Sequence, residues 1–336
     1  MSESGERFLV TGALGCIGAW MLRTLLDDGA HVVAFDKSDD LHRLRLVLEP
    51  DALARVTFVR GDITSLASVE AALDEHAITH VVHLAALQVP FARADPPLGA
   101  LVNVVGTVNV FEAVKRRRGQ VRGLVYMSSI GMFDAADADP ADGRLHEDAI
   151  AHPTTHYGVT KLANEGTARV YWLDDGVPSI GLRPMTVYGP GRDQGLTSGP
   201  TRALLAALVG RRYRIGFGGS TLFQFAPDAA AAIVAAARNV TVGSPVYNLT
   251  GAAASIAEFV SLAEDAIPGA AGLIAYDPAP LPFPEQIDAA SLAAVADVAP
   301  TPLADGIART VELFRRRLDS GDLVPEEHGL EAAMAV

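Results

Sequence analysis

Residues 8–18 read FLVTGALGCIG. A short apolar run, Phe8-Leu9-Val10, enters a turn carrying Gly12, Gly15 and Gly18, and an apolar helical pattern over residues 17–26 follows at once. Glycine accepts positive φ and lets a backbone come close to a ligand, while the first turn of a helix offers unpaired N–H groups and the positive end of its dipole. Strand, glycine turn and helix in that order suit the pyrophosphate of a dinucleotide. Gly12, Gly15, Cys16, Ile17 and Gly18 are the first candidate cofactor residues.

Outward from this turn, the run His31-Val32-Val33-Ala34-Phe35 ends in Asp36, eighteen residues beyond Gly18. A carboxylate at the end of a second strand meets the adenosine ribose and accepts hydrogen bonds from both hydroxyls. It would repel the extra phosphate of NADP, with Lys37 alongside as the one group of opposite sign. Residues 56–59 read as a third strand, 66–73 as a helix and 79–84 as a nearly continuous apolar strand, as expected when helices cover both faces of a parallel sheet. The last of these ends in Leu84, Ala85 and Ala86, small enough at its tip to leave room for a cofactor. His83 within it reads as a satisfied core histidine, and no metal site is expected.

Residues 101–115 read as one long amphipathic helix, closed by the basic run 115–118 that complements the helix dipole. The strand 123–127 then delivers Ser128 and Ser129 to its carboxyl end, where open α/β sheets bind ligands. A polar surface loop is expected over 134–148. After it, Tyr157 and Lys161 stand four apart at the start of a helix, so both side chains share one face and reach one ligand.

Composition bounds the partners. The chain has 336 residues, enough for one main body and a smaller lobe, and its charge of 27 − 40 = −13 argues against a nucleic-acid partner. Cys16 is the single cysteine, so no intramolecular disulfide forms. The polar start 1–7 lacks the features of a signal peptide and no later run reads as a membrane span, so a soluble, cytoplasmic protein is expected. The alanine-rich stretch 229–237 reads as a close-packed helix.

Taken together, TGALGCIG, Asp36, GDI at 61–63, HLAA at 83–86, NVVGTVN at 103–109, YMSSI, YGVTK and LRPMTVYGPG at 182–191 resemble an extended short-chain dehydrogenase/reductase, the group of nucleotide-sugar epimerases, dehydratases and sugar-acid dehydrogenases. The resemblance implies NAD as cofactor and a Rossmann-type doubly wound α/β sheet over residues 1–188. A returning segment is expected near 224–251, a smaller C-terminal substrate lobe over 189–223 and 252–320, and a loose tail over 321–336. It further implies Tyr157 as general acid/base, Lys161 on the nicotinamide ribose, Ser129 on the reacting oxygen, Asp62 and Ile63 beside the adenine, Asn103 near the active site, and Pro184 and Val187 in the nicotinamide pocket. A homodimer paired through the helices at 101–115 and near Tyr157 is expected by the same analogy.

Within that group, dehydratases carry an Asp-Glu pair after the serine and decarboxylases an acidic residue, whereas Ile130 and Gly131 stand here. A dehydrogenase that releases reduced cofactor and an epimerase that returns the hydride remain, beside a non-catalytic NAD-binding protein that the intact Ser129, Tyr157 and Lys161 argue against. Thr221 occupies the place of an arginine that pairs with the diphosphate in nucleotide-sugar enzymes, and Thr186 that of an asparagine. Arg192, Arg211 and Arg214 are the cations that could replace them. The expectation is therefore a dehydrogenase acting on a small sugar or sugar acid without a nucleotide, held by Ser129, Arg192, Thr197 and Ser198, with a UDP-glucose 4-epimerase-like activity as the alternative.

Overall fold

In the computed structural model residues 5–330 are described. Strands β1 (Arg7–Thr11), β2 (His31–Asp36), β3 (Thr57–Arg60), β4 (His80–His83), β5 (Gly123–Met127) and β6 (Ile180–Arg183) are laid down in turn with helices between them. The chain then leaves through β7 (Thr186–Tyr188), β8 (Tyr213–Ile215) and β9 (Ser220–Phe225), and returns as β10 (Val246–Asn248) beside β6. The main sheet runs β3-β2-β1-β4-β5-β6-β10, every pair parallel. Winding reverses between β1 and β4, which opens a crevice at their carboxyl ends. β11 (Ala252–Ser255) joins β9 and β7 in a second sheet, and β12 (Ile274–Tyr276) pairs with β8.

The apolar strands are buried on both faces, as their unbroken hydrophobic runs require. One face packs Phe8, Val10, Val82 and Val125 against the helices Cys16–Asp27 and Ala226–Arg238. Alanines 229, 230, 232, 236 and 237 of the latter are buried and allow close helix–helix approach. The other face packs Leu9, Val33, Val81 and Leu124 against Val110, Phe111 and Ala168. A third core lies in the smaller lobe around Tyr188, Phe223, Phe225 and Phe259.

Three expectations need correction. The helix expected over 101–115 starts at Pro96 and contains a π-helical turn, Leu101–Val105, before its α-helical part Gly106–Lys115. Among the described residues this Pro96–Lys115 helix alone is long and apolar enough to cross a membrane by length and composition, which the sequence reading did not anticipate; Asn103, Thr107 and Phe111 on it are buried inside the fold. Residues 321–330 are packed and not a loose tail: Leu323, His328 and Leu330 are buried, and Arg202 donates to the Gly329 carbonyl. The rest of the expected tail, 331–336, lies outside the described residues.

Candidate active site

The glycine turn closes tightly over the crevice. Gly12 has φ 68°, and a Cβ there would stand 2.7 Å from the Ala85 backbone nitrogen; one on Gly18 would stand 2.5 Å from the Ala13 carbonyl oxygen. A side chain at Gly12 would push the turn off the segment that follows β4, and one at Gly18 would push the helix off the turn. Gly15 caps the helix Cys16–Asp27 without a side-chain bond to its N–H groups, which suits an anionic group from outside the chain. Asp36 accepts hydrogen bonds from Leu14 N and Ser38 N, both at 3.0 Å, which fixes its carboxylate beside the turn. Lys37, the neighbouring cation, is paired with Asp62 at 2.9 Å.

A cavity of about 750 Å³ begins at this turn and ends in the smaller lobe. Of the residues singled out in the sequence, Gly12, Gly15, Cys16, Ile17, Gly18, Asp36, Asp62, Ile63, Leu84, Ala85, Ala86, Ser129, Tyr157, Lys161, Pro184, Val187, Arg192 and Thr197 line it. Asn103 and Ser198 do not. The π-turn aims Asn103 at the loop after β4, where it accepts from Leu87 N at 2.7 Å and donates to Leu87 O and to Thr160 Oγ1; it shapes the wall and touches nothing inside. Ser198 folds back onto the Gly195 carbonyl. Of the three alternative cations only Arg192 reaches the cavity, since Arg211 pairs with Glu326 and Arg214 with Asp277. Sequence reading missed His42, Arg43, Gln88 and Phe283, which also line it.

The catalytic candidates meet where β5 ends. Thr155 caps the helix His156–Asp175, and Gly158 packs so closely on the 129–132 turn that a Cβ would stand 2.9 Å from Gly131 O. That contact sets Tyr157 beside the turn that carries Ser129, whose hydroxyl accepts from Gly131 N at 3.0 Å. Lys161, buried, donates to Met127 O at 2.6 Å and stands 5.5 Å from the Tyr157 ring centre. Burial lowers its pKa to about 8, opposed by Glu165. Burial holds the Tyr157 phenol above its ordinary value, with the Ser129 hydroxyl and the Arg192 guanidinium acting in the opposite direction. Lys161 and Arg192, both cations, line the cavity with Tyr157. His83 is satisfied on both nitrogens, by Thr11 Oγ1 at 2.7 Å and Thr107 Oγ1 at 3.0 Å, and burial drops its pKa to about 3.

Arg192 donates to Thr197 Oγ1 at 3.0 Å and stands 3.5 Å from Gln88 Oε1, while its Nε has no partner among the described residues. Thr186 and Thr221, in the places of the family's asparagine and arginine, hydrogen-bond each other at 2.8 Å, both buried and neither on the cavity.

A glycine turn, a carboxylate at the end of β2 and a Ser-Tyr-Lys group along one cavity are the arrangement of a nucleotide-dependent oxidoreductase of the short-chain type. Residues 8–250 match the NAD dependent epimerase/dehydratase family, and the chain belongs to it. It is 32% identical to a UDP-glucose 4-epimerase of Mycolicibacterium smegmatis over 93% of this chain and 99% of that one. UDP-glucuronate 4-epimerase 2 of Arabidopsis thaliana is 32% identical over 56% of this chain and 44% of its own. Among solved structures, MoeE5 in complex with UDP-glucose and NAD is similar at 30% identity and TM-score 0.74, covering 93% and 99% of the two chains. The Thermus thermophilus UDP-glucose 4-epimerase with NAD is similar at 26% identity and TM-score 0.77, covering 92% and 99%.

Proposed function

We propose that the chain inverts a hydroxyl-bearing carbon of a sugar by transient oxidation, with Tyr157 exchanging the proton. The observation that carries this is the meeting of Ser129, Tyr157 and Lys161 in one cavity that runs from the glycine turn to Arg192. Full-length similarity to a UDP-glucose 4-epimerase supports the return of the hydride over release of reduced cofactor. That reverses the preference of the sequence reading.

Gly12, Gly15 and Gly18 admit a pyrophosphate, Asp36 takes the adenosine ribose, and Asp62 and Ile63 flank the adenine. When bound, NAD supplies a hydride acceptor that can hand the hydride back. Tyr157 removes the hydroxyl proton as the carbinol becomes a ketone and restores it afterwards. A free tyrosine has a pKa of roughly 10, so work near neutral pH asks for about 4 kcal/mol of selective phenolate stabilisation. Ser129 and Arg192 contribute to it from the protein, and Lys161 holds the nicotinamide ribose. Arg192, with no carboxylate partner among the described residues, also takes an anionic group of the substrate: a sugar carboxylate or a phosphate.

A second reading rests on the Thr186–Thr221 pair. With both hydroxyls spent on each other, a diphosphate lacks two of the contacts its relatives provide, which favours oxidation and release of an unphosphorylated sugar or sugar acid. The test is a panel of UDP-glucose, UDP-glucuronate, free uronates and aldonates with NAD. Interconversion without net reduction is expected. Stoichiometric reduced nicotinamide from a free sugar acid would replace the epimerase with the dehydrogenase.

The same chain forms a homodimer through the helices Pro96–Lys115 and His156–Asp175, which leave Leu101, Val105, Val159, Leu162, Val170 and Leu173 exposed. Light scattering that finds a monomer at working concentration would refute this.

A further inference from the structure

Arg192 and Asp193 are neighbours, and a carboxylate so placed is the natural counter-ion of the guanidinium beside it. Asp193 is otherwise engaged. It is buried, accepts from Arg43 Nη2 at 2.6 Å and Nε at 3.0 Å, and meets His42 Nε2 at 3.0 Å and His328 Nδ1 at 3.5 Å. His42 and His328 are also buried and pack edge to face, 4.9 Å between ring centres. Arg43 extends the chain of contacts to the glycine turn by donating to Leu14 O at 3.3 Å. Three distant parts of the sequence therefore converge on one carboxylate: the helix His42–Val47, the loop after β7 and the segment 321–330.

His42, Asp193 and His328 stand close enough to hold a metal ion. The charge around them is wrong for one. Arg43 sits on the carboxylate, and Arg192 and Arg202 border the small cavity of about 10 Å³ next to it. The cluster is instead an ion pair of Arg43 and Asp193, with His42 hydrogen-bonded to the carboxylate and His328 Nδ1 3.5 Å from it without a hydrogen bond of its own.

We propose that Arg43, His42 and His328 form a clamp on Asp193 that keeps this carboxylate from neutralising Arg192, and so positions Arg192 as the free cation of the active site facing Tyr157. The inference rests on the reading of Tyr157 as the proton-exchanging group. Asp193 and His328 are positioning residues: neither is the acid, and His328 does not line the main cavity. The clamp also ties the turn that cradles the cofactor to the cation that tunes the phenol, through Leu14, Arg43 and Asp193.

Ser129, Lys161 and Arg192 line the cavity with Tyr157, Lys161 Nζ 5.5 Å from its ring centre, and Gln88, Arg43 and Asp193 line it farther along the loop side. Removing the cation should raise the phenol's titration point, because an opposite charge nearby favours the phenolate by about one pH unit or more. The measurement is ultraviolet phenolate absorbance against pH on the NAD-saturated protein, with Tyr157→Phe subtracting the other tyrosines and Arg192→Gln as the reference for a lost cation. His328→Ala is expected to move the titration upward, by less than Arg192→Gln, and His328→Asn to restore part of the shift. Asp193→Asn separates positioning from simple charge. With no carboxylate left to pair with Arg192, the titration point is expected to stay or fall, and Asp193→Asn added to His328→Ala is expected to cancel the rise that His328→Ala causes alone.

If Arg192→Gln shifts the titration but His328→Ala leaves it unchanged or lowers it, or if Asp193→Asn fails to cancel the rise in the double variant, the clamp is overturned while the role of Tyr157 stands. If subtraction of Tyr157→Phe leaves no titration below that of ordinary tyrosines, the reading of Tyr157 itself is overturned. Melting temperature and NAD affinity of each variant confirm that a folded protein is being compared.

Discussion

The two walls of the cavity are built on different principles. One wall is made by β1, β4, β5 and the helix His156–Asp175, where strand register and helical spacing fix each side chain. The other, residues 189–198, turns on Gly189, Gly191 and Gly195, at φ 119°, 90° and 96°, and is held by side chains from far along the chain. The first wall holds Ser129, Tyr157 and Lys161, the groups to which the proposed reaction is assigned. The second is supported by ion pairs and imidazoles, which makes it the part that pH and distant substitutions can alter.

The largest effect belongs to the rigid wall. Tyr157→Phe removes only the ionisable hydroxyl, and turnover should fall by about 1,000-fold while NAD affinity stays within about twofold. Normal turnover in steady-state assays of that variant would mean that the regular wall does not house the acid/base.

A smaller effect tests the cofactor end. Asp36→Ala should weaken NAD by about tenfold, the loss of charge-assisted hydrogen bonds, and narrow its advantage over NADP. Calorimetric titration with NAD and NADP decides this, and unchanged discrimination would show that Asp36 serves only its bonds to Leu14 and Ser38.

The smallest effect probes the held loop. The hydrogen bond to Asp193 raises the pKa of His42 above its model-compound value of 6.5, against the opposing effect of burial. A raised folded pKa gives stability that is complete below 6.5 and is lost as pH rises through the folded value. His42→Gln should therefore lower the melting temperature more at pH 6 than at pH 8, by roughly 1–3 °C. Equal losses at both pH values would show that the imidazole acts there by packing alone.

The difference between the walls also explains what could be read from sequence. FLVTGALGCIG and YGVTK are local: the residues that act together lie within one turn or one strand end, so their spacing announces them. Asn103 was legible as a residue near the site, but the π-turn that rotates it onto Leu87 leaves no mark in the local pattern. Arg43 and Asp193 stand 150 residues apart, and His328 is farther still along the chain, so no spacing connects them. The same holds for Phe283, brought to the cavity from the proline-rich stretch 278–284. The Thr186–Thr221 bond was half visible: both departures from the family pattern could be seen, but not that they satisfy each other.

The measurement that bears most directly on the account is the fate of the hydrogen on the inverted carbon. UDP-glucose deuterated at C4, incubated with the protein and a catalytic amount of NAD, should give both C4 epimers with the deuterium kept on that carbon and none in free NADH. Deuterated NADH released in step with a ketone product, or no reaction of the nucleotide sugar beside reduction of NAD by a free sugar acid, would contradict it.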